Sequence, residues 1–253
     1  MKSKIEIIPI PITSDIKVGD KLDQIILESM NNAKEFLSKG DIVVVAEKVV
    51  SKAEGRLVNL KSVNPSEKSL QIARQNGKDP RLVELILNES TEILRQARGI
   101  LIVETKGGLI CANAGVDQSN VENSSNYAAL LPQDADLSAR RLRLSLISKT
   151  GIEVAVVITD TFGRPFREGQ INVAIGIAGI QPIKSYIGTL DMYGKKLKVT
   201  EIAVVDEIAS AAELQMGKNE RIPVVIIRGY DYQTVENSSL SQLLRAREKD
   251  LFR

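Results

Sequence analysis

The chain contains no histidine, no tryptophan and a single cysteine, Cys111. Without histidine there is no Ser–His–Asp triad, no Cys–His pair, no HExxH zinc helix and no imidazole acid–base catalyst. With one cysteine there is no CxxC, no cysteine zinc site and no intrachain disulfide, a state that fits a reducing cytoplasm. Any metal must then be a hard cation held by carboxylates, carbonyls, hydroxyls and water, which means Mg2+, Mn2+ or Ca2+. Acid–base work falls to Asp, Glu, Lys, Tyr or the substrate itself. No stretch approaches the roughly 18 apolar residues of a membrane span. The opening Met1-Lys-Ser-Lys-Ile-Glu-Ile-Ile-Pro-Ile-Pro-Ile breaks its apolar run with Glu6 and two prolines. No signal peptide and no membrane partner are expected, and the protein reads as cytoplasmic.

What is present is close to the average for a globular protein: 43% hydrophobic and 26% charged residues. The 253 residues allow one large domain or two lobes with a sizeable core. The 34 basic residues against 32 acidic ones leave a formal charge of +2, so nothing in the total points to a nucleic-acid partner.

Short runs rich in Val and Ile predict strands over 4–8, 41–45, 100–104, 109–112, 153–159 and 223–228. Amphipathic spacing predicts helices over 22–37, 67–75, 80–89, 138–149, 206–216 and 239–249. In the first of these, Leu22, Ile25, Ile26, Met30, Ala33 and Leu37 follow the 3–4 spacing of one buried face. Lys106-Gly107-Gly108 between two strand runs predicts an antiparallel hairpin. An α+β fold with mixed, largely antiparallel sheets and packed helices is therefore expected, as a single domain over 1–253. The polar stretch 118–132 is the candidate for an internal boundary.

Four polar stretches carry candidate chemistry. Thr159-Asp160-Thr161-Phe162-Gly163-Arg164-Pro165-Phe166-Arg167-Glu168-Gly169 directly follows an apolar strand. An acid where a buried strand ends is well placed for a metal, and a following loop leaves coordination positions open. Thr161 adds a hydroxyl or carbonyl, while Arg164 and Arg167 suit phosphate or carboxylate groups. The plainer alternative is a loop with a turn-capping Asp and surface ion pairs. Asn113-Ala114-Gly115-Val116-Asp117-Gln118-Ser119-Asn120 also follows a strand and supplies Asp117 as a second carboxylate; an ordinary Asn/Asp turn is its alternative. The stretch 205–217 reads as a helix with a small-residue stripe. Asp206 and Glu207 suit its positive N-terminal end, and Gln215 and Gly217 could line a ligand-binding turn at the other. Finally, Glu47, Lys48 and Lys52 lie between a strand and the Gly55 turn, within reach of a polyphosphate or on a solvated face. There is no GxxxxGK[ST] and no GxGxxG in strand–turn–helix context, so neither a P-loop nor a Rossmann site is supported.

In chain order, SKAEGR (51–56), NAGVDQSN (113–120), TDTFGRPFREG (159–169), DMYGKKLKVT (191–200) and VVDEIASAAELQMG (204–217) resemble the coenzyme F(420)-0:L-glutamate γ-ligase family. The resemblance covers roughly residues 4–230. It implies the family's own two-lobed α+β ligase fold and a GTP-dependent ligation of L-glutamate to coenzyme F(420)-0, followed by a second, γ-linked glutamate. It also implies two divalent ions (Mg2+ or Mn2+), K+ as activator and a homodimer. By motif, Asp117 and Asp160 match metal ligands, with Thr161 and Gly217 serving a second ion. Ile12, Thr13, Ser14, Asp15, Glu47, Lys48, Lys52, Asn120, Gln215, Met216, Gly217, Lys218 and Asn219 match nucleotide-binding positions. Asp117, Asp160 and Lys52 are the expected catalytic residues, and Arg164 and Arg167 the expected substrate-binding ones. Two stretches depart from the family pattern: Lys218-Asn219-Glu220-Arg221 lacks its glycines, and Pro11-Ile12-Thr13-Ser14 replaces a Leu-Pro-containing stretch. A metal-dependent phosphohydrolase and a non-catalytic nucleotide-binding module are the rival readings.

Overall fold

The computed structural model describes residues 4–121 and 125–251. Its centre is a five-stranded sheet in which β1 (Glu6–Ile10), β12 (Val224–Arg228), β2 (Ile42–Ala46), β8 (Ala155–Arg164) and β9 (Arg167–Ala178) lie side by side in that order. β2 and β8 run parallel and the other neighbours antiparallel. The fold is α+β, as the sequence predicts.

Alternation along the strands sorts the core onto two faces. Val43, Val45, Val156 and Ile158 pack with α1 (Leu22–Asn32) and α5 (Ala135–Thr150) through Ile26, Met30, Leu142 and Leu146. Ile42, Val44, Ala155 and Val157 pack on the opposite face with α6 (Val204–Met216) through Val205, Ile208 and Ala212. A separate apolar cluster joins α3 (Glu67–Asn76) and α4 (Pro80–Asn88) to the three-stranded sheet of β4 (Ser90–Ala97), β5 (Ile100–Thr105) and β6 (Ile110–Ala112). Its buried members include Ile72, Val83, Ile86, Leu101 and Val103. The β5–β6 hairpin is the expected one.

Local sequence explains most boundaries. Ser66 and Asp79 cap α3 and α4, Pro80 opens α4, and Gly77 and Gly151 end α3 and α5 in left-handed backbone. α1 stops at Asn32 rather than at 37: Lys34 turns left-handed (φ 57°), and the Glu35 N–H reaches back to the Met30 carbonyl at 2.9 Å. Leu37 is still buried in the same core, so apolar spacing outlasts the helix. β1 extends through Pro9, tolerable on an edge strand where no ladder donor is needed.

Two further expectations are corrected. The segment 239–249 is not a helix but two 3₁₀ turns, Leu240–Gln242 and Arg247–Lys249. Asp136 accepts from the Leu240 N–H at 2.8 Å and from the Ser239 hydroxyl at 2.8 Å, so tertiary anchoring overrides helix propensity. The stretch after β8 is not a loop, since β8 runs to Arg164 and turns at Pro165–Phe166 into β9, a twelve-residue strand. Residues 47–53 form α2 (Glu47–Ala53). In the stretch 118–132, β7 (Tyr127–Ala129) is paired with β3 (Leu57–Asn59), and Ala128 and Ala129 are buried; residues 122–124 lie outside the described residues.

β9 is an edge strand, yet two of its outward N–H groups are satisfied by carboxylates from the first turns of two helices. Asp206 of α6 accepts from the Ala174 N–H at 3.0 Å, and Asp136 of α5 from the Ile177 N–H at 2.9 Å. Asp206 is thus a structural acid, as its helix-start position suggests. Between these two rungs, Gly176 admits α5, because an added Cβ would stand 2.3 Å from the Ala135 carbonyl oxygen. We expect Gly176→Ala to destabilise the protein by about 1–3 kcal/mol through overpacking against backbone. Urea unfolding should show a lower midpoint at unchanged slope.

Candidate functional site

One edge of the central sheet collects residues 12–15, 47–52, 160–161 and 217–222, and the 113–120 turn is tied to it through Lys48 and Lys218. β1 and β2 end there, the pairing of β8 with β2 stops there, and β12 begins there, because β12 runs antiparallel to both β1 and β2. Residues 12–15 leave β1 at that edge, α2 leaves β2, Asp160 lies just beyond the parallel pairing of β8, and residues 217–222 enter β12. Ligands commonly bind where parallel strands end.

α2 starts directly from β2, so Glu47 and Lys48 are fixed beside β8, whose Thr159 pairs with Ala46. Glu47 is buried and receives a hydrogen bond from the Ser51 hydroxyl at 3.1 Å. The Lys48 ammonium lies 2.8 Å from the Asp117 carboxylate and 3.3 Å from that of Glu47. Asp117 is held by an antiparallel bridge to Ala129 and accepts from the Ser119 N–H at 2.9 Å and from the Ser119 hydroxyl. Asp160 accepts from the Thr161 N–H at 2.7 Å.

The electrostatics show one cluster. Burial drives Glu47 up from its ordinary 4.5 to about 7, with the Lys48 charge opposing and the Asp160 charge adding. Burial also raises Asp160, against the Thr161 N–H and the Lys48 charge. For Asp117 burial is outweighed by Lys48 and Ser119, which hold its carboxyl below the usual range. Lys48 is itself buried, but Glu47 and Asp117 more than offset that and keep it a cation. Lys52, one helical turn on, is pushed down by burial and by the Lys48 and Arg221 charges, against Asp15 and Glu47.

Successive strand residues face opposite ways. While Asp160 joins the Lys48 cluster, Thr161 hydrogen-bonds Asn172 at 2.7 Å and receives the Lys218 ammonium at 2.7 Å. Lys218 also pairs with Glu213 at 2.9 Å. The 113–120 turn and the end of α6 are linked by the Asn120 amide, which donates to the Lys218 carbonyl at 3.1 Å. Residues 12–15 and 217–222 are linked through Arg221: its carbonyl accepts from the Ile12 N–H at 2.9 Å, and its guanidinium donates to the Thr13 carbonyl at 2.7 Å and pairs with Asp15 at 3.3 Å.

Placement of the remaining candidates is uneven. Thr13, Ser14, Asp15, Gln215, Gly217 and Asn219 are exposed at this edge, whereas the side chains of Ile12 and Met216 are committed to the core. Arg164 and Arg167 sit at the tip of the β8–β9 hairpin. Arg164 turns back onto the Glu168 carbonyl at 2.8 Å, and Arg167 is exposed. Among the described residues neither forms a hydrogen bond or ion pair with the carboxylate cluster. Sequence reasoning missed Ser51, Asn172, Glu213 and Arg221. The spacing of Ala46, Val49, Val50 and Ala53 was a legible sign of α2, and hence of Glu47, Lys48, Ser51 and Lys52 sharing one short helix.

The cluster's metal-binding atoms are all hard oxygens, and its three carboxylates share the Lys48 ammonium, with Lys218 adding to it at Asp160. Such a donor set fits a hard divalent cation. Among the described residues no three acidic side chains yet stand at ligand spacing, for the Lys48 ammonium lies between them.

A sequence model of the F(420)-0:Gamma-glutamyl ligase family matches residues 11–229. The chain belongs to that family. It is 47% identical over 240 residues to coenzyme F(420):L-glutamate ligase of Methanothermobacter thermautotrophicus, covering 94% of each chain. The enzyme of the same name from Methanopyrus kandleri is 43% identical over 249 residues, 97% of this chain and 96% of that one. That of Archaeoglobus fulgidus is 41% identical over 251 residues, with 99% and 97% covered. Among the described residues no helix is long and apolar enough to cross a membrane.

Because folding raises the Glu47 pKa, the native state holds that proton more tightly than the unfolded chain, and ionisation costs stability as pH climbs from 4.5 to about 7. We expect the stability of Glu47→Gln relative to wild type to rise across that window and level off above it. Chemical denaturation at a series of pH values measures the difference; one flat with pH would refute the assignment.

Proposed function

We propose that this chain is a GTP-dependent ligase that joins L-glutamate to coenzyme F(420)-0, and then a second, γ-linked glutamate, through an acyl phosphate. What supports the reading is the convergence of Glu47, Lys48, Asp117 and Asp160 at the edge where β2 and β8 end, within a chain of this ligase family. A cytoplasmic location goes with it.

In this scheme an acceptor carboxylate oxygen attacks the γ-phosphorus of GTP. The bond from that phosphorus to the bridging oxygen breaks, and GDP leaves with the electron pair. The glutamate amine nitrogen then attacks the acyl carbon, phosphate leaves with the carbon–oxygen bonding pair, and the surplus amine proton passes to water. No imidazole is needed. Lys48 and Lys52, on one face of α2, set positive charge against the phosphates, and Lys52's lowered pKa marks the desolvation that strengthens such contacts. Asp117 and Asp160 would hold divalent ions, with Thr161 and Gly217 oxygens at the second. When bound, these ions neutralise phosphate charge and align the attack. The backbone of the loops tied by Arg221 would enclose the nucleotide. Arg164 and Arg167 are assigned to anionic substrate groups beyond the cluster.

The reading includes K+ as activator and a homodimer. The arm between β10 (Ile183–Ser185) and β11 (Glu201–Ala203) exposes Ile187, Leu190, Met192, Tyr193 and Val199, apolar area that a second copy would cover.

With F(420)-0, GTP, Mn2+ and glutamate, we expect products heavier than the acceptor by one and then two glutamyl units, formed only when glutamate is present. Asp160→Asn should lower turnover at least about 100-fold, some 2.7 kcal/mol at 1.36 per decade, while circular dichroism stays unchanged. Phosphate release independent of glutamate as the main turnover, or an active Asp160→Asn, would overturn the proposal.

A further inference from the structure

A cavity opens beside the cluster, between the start of α4 and the 113–118 turn. Its volume is about 180 Å³, and Asp117 lines it together with Lys78, Asn113, Leu82 and Val116. Asp117 is thus shared between the cavity and the Lys48 cluster. Asn113 and Val116 in its wall flank Ala114 and Gly115, and the left-handed backbone at 113–115 (φ 55°, 55° and 69°) sets how Asn113 and Asp117 are presented.

Lys78 is unusual among the lysines. It is half-buried, and burial alone lowers its pKa, with no neighbouring charge compensating. Among the described residues its ammonium makes no ion pair and no hydrogen bond. The adjacent Asp79 is spent on Arg81, whose Nε donates to it at 3.0 Å. A partly desolvated ammonium with nothing to neutralise it is an incomplete contact, and a carboxylate completes it well.

The cavity therefore presents one uncompensated cation, Lys78, beside Asp117, whose own charge is already met by Lys48. Its volume lies below the roughly 300–1,000 Å³ of pockets for drug-sized ligands, a size that suits an amino acid. We propose that this cavity is the L-glutamate subsite, with Lys78 binding a carboxylate of the incoming amino acid and Leu82 and Val116 flanking its methylenes. The inference rests on the ligase reading, since it needs Asp117 to border the reacting centre.

Steady-state kinetics on the purified full-length chain with F(420)-0, GTP and Mn2+ test it. Lys78→Ala should raise the KM for glutamate about ten- to a hundredfold, as loss of a charged hydrogen-bond partner does. The KM values for GTP and F(420)-0, and kcat at saturating glutamate, should stay at wild-type levels. Lys78→Arg should recover most of the loss. If Lys78→Ala does not fold, Lys78→Gln decides by the same readout. An unchanged KM for glutamate overturns the inference, and so does a rise confined to the KM for F(420)-0, which would place the acceptor's own carboxylate or phosphate there. The two readings fail separately: an active Asp160→Asn defeats the ligase scheme, whereas a silent Lys78→Ala beside an inactive Asp160→Asn defeats only the glutamate subsite.

Discussion

The parallel pairing of β2 with β8 is the constraint from which the candidate site follows. Parallel neighbours end at the same edge, so the residues just past each strand are brought side by side without any loop having to reach. Here the register sets Ala46 beside Thr159, and the next residues are Glu47 and Lys48 at the start of α2 and Asp160 on β8. The antiparallel neighbours add to this: β12 starts at the same edge and β1 finishes there, which delivers residues 217–222 and 12–15. A one-residue slip of β8 against β2 would exchange the side chains that β8 offers to its two buried faces and move Asp160 away from Lys48.

That arrangement carries an electrostatic cost that the rest of the fold offsets. Buried carboxylates are tolerated when paired and hydrogen-bonded. Lys48 serves Asp117 and Glu47 together, Ser51 and Ser119 supply hydroxyls, and the Thr161 N–H serves Asp160. The compensation is partial, as the raised pKa values of Glu47 and Asp160 show. Residual negative charge gathered by a rigid sheet is the mark of a place shaped for cations or proton exchange rather than for stability.

Much of this was legible in the sequence, for reasons that can be named. Strands in the central sheet are buried on both faces, so their Val and Ile runs are dense and easily read. Helices with a Ser, Asp or Pro at the start and a Gly at the end announce their limits. The order of the polar motifs was enough to indicate the family. The rest depended on information a linear reading does not hold. β9 carries Gly, Gln and Asn where it leaves the core as a two-stranded ribbon, so it lacks a strand's usual composition. The segment 239–249 has helical spacing, but the Asp136 carboxylate captures its first turn. That Arg221 joins two loops 208 residues apart, or that Lys78 lies next to Asp117, is fixed by packing alone.

The β8–β9 hairpin has register shifts on both sides of Asp160, one between Ile158 and Thr159 and one between Gly163 and Arg164. Bulges are where a ladder bends and twists. The five rungs from Thr159 to Gly163 thus form a short plate between two hinges. Within that plate Asp160 and Thr161 keep the spacing of adjacent strand residues, while the two bulges, rather than the sheet below, set its attitude toward α2.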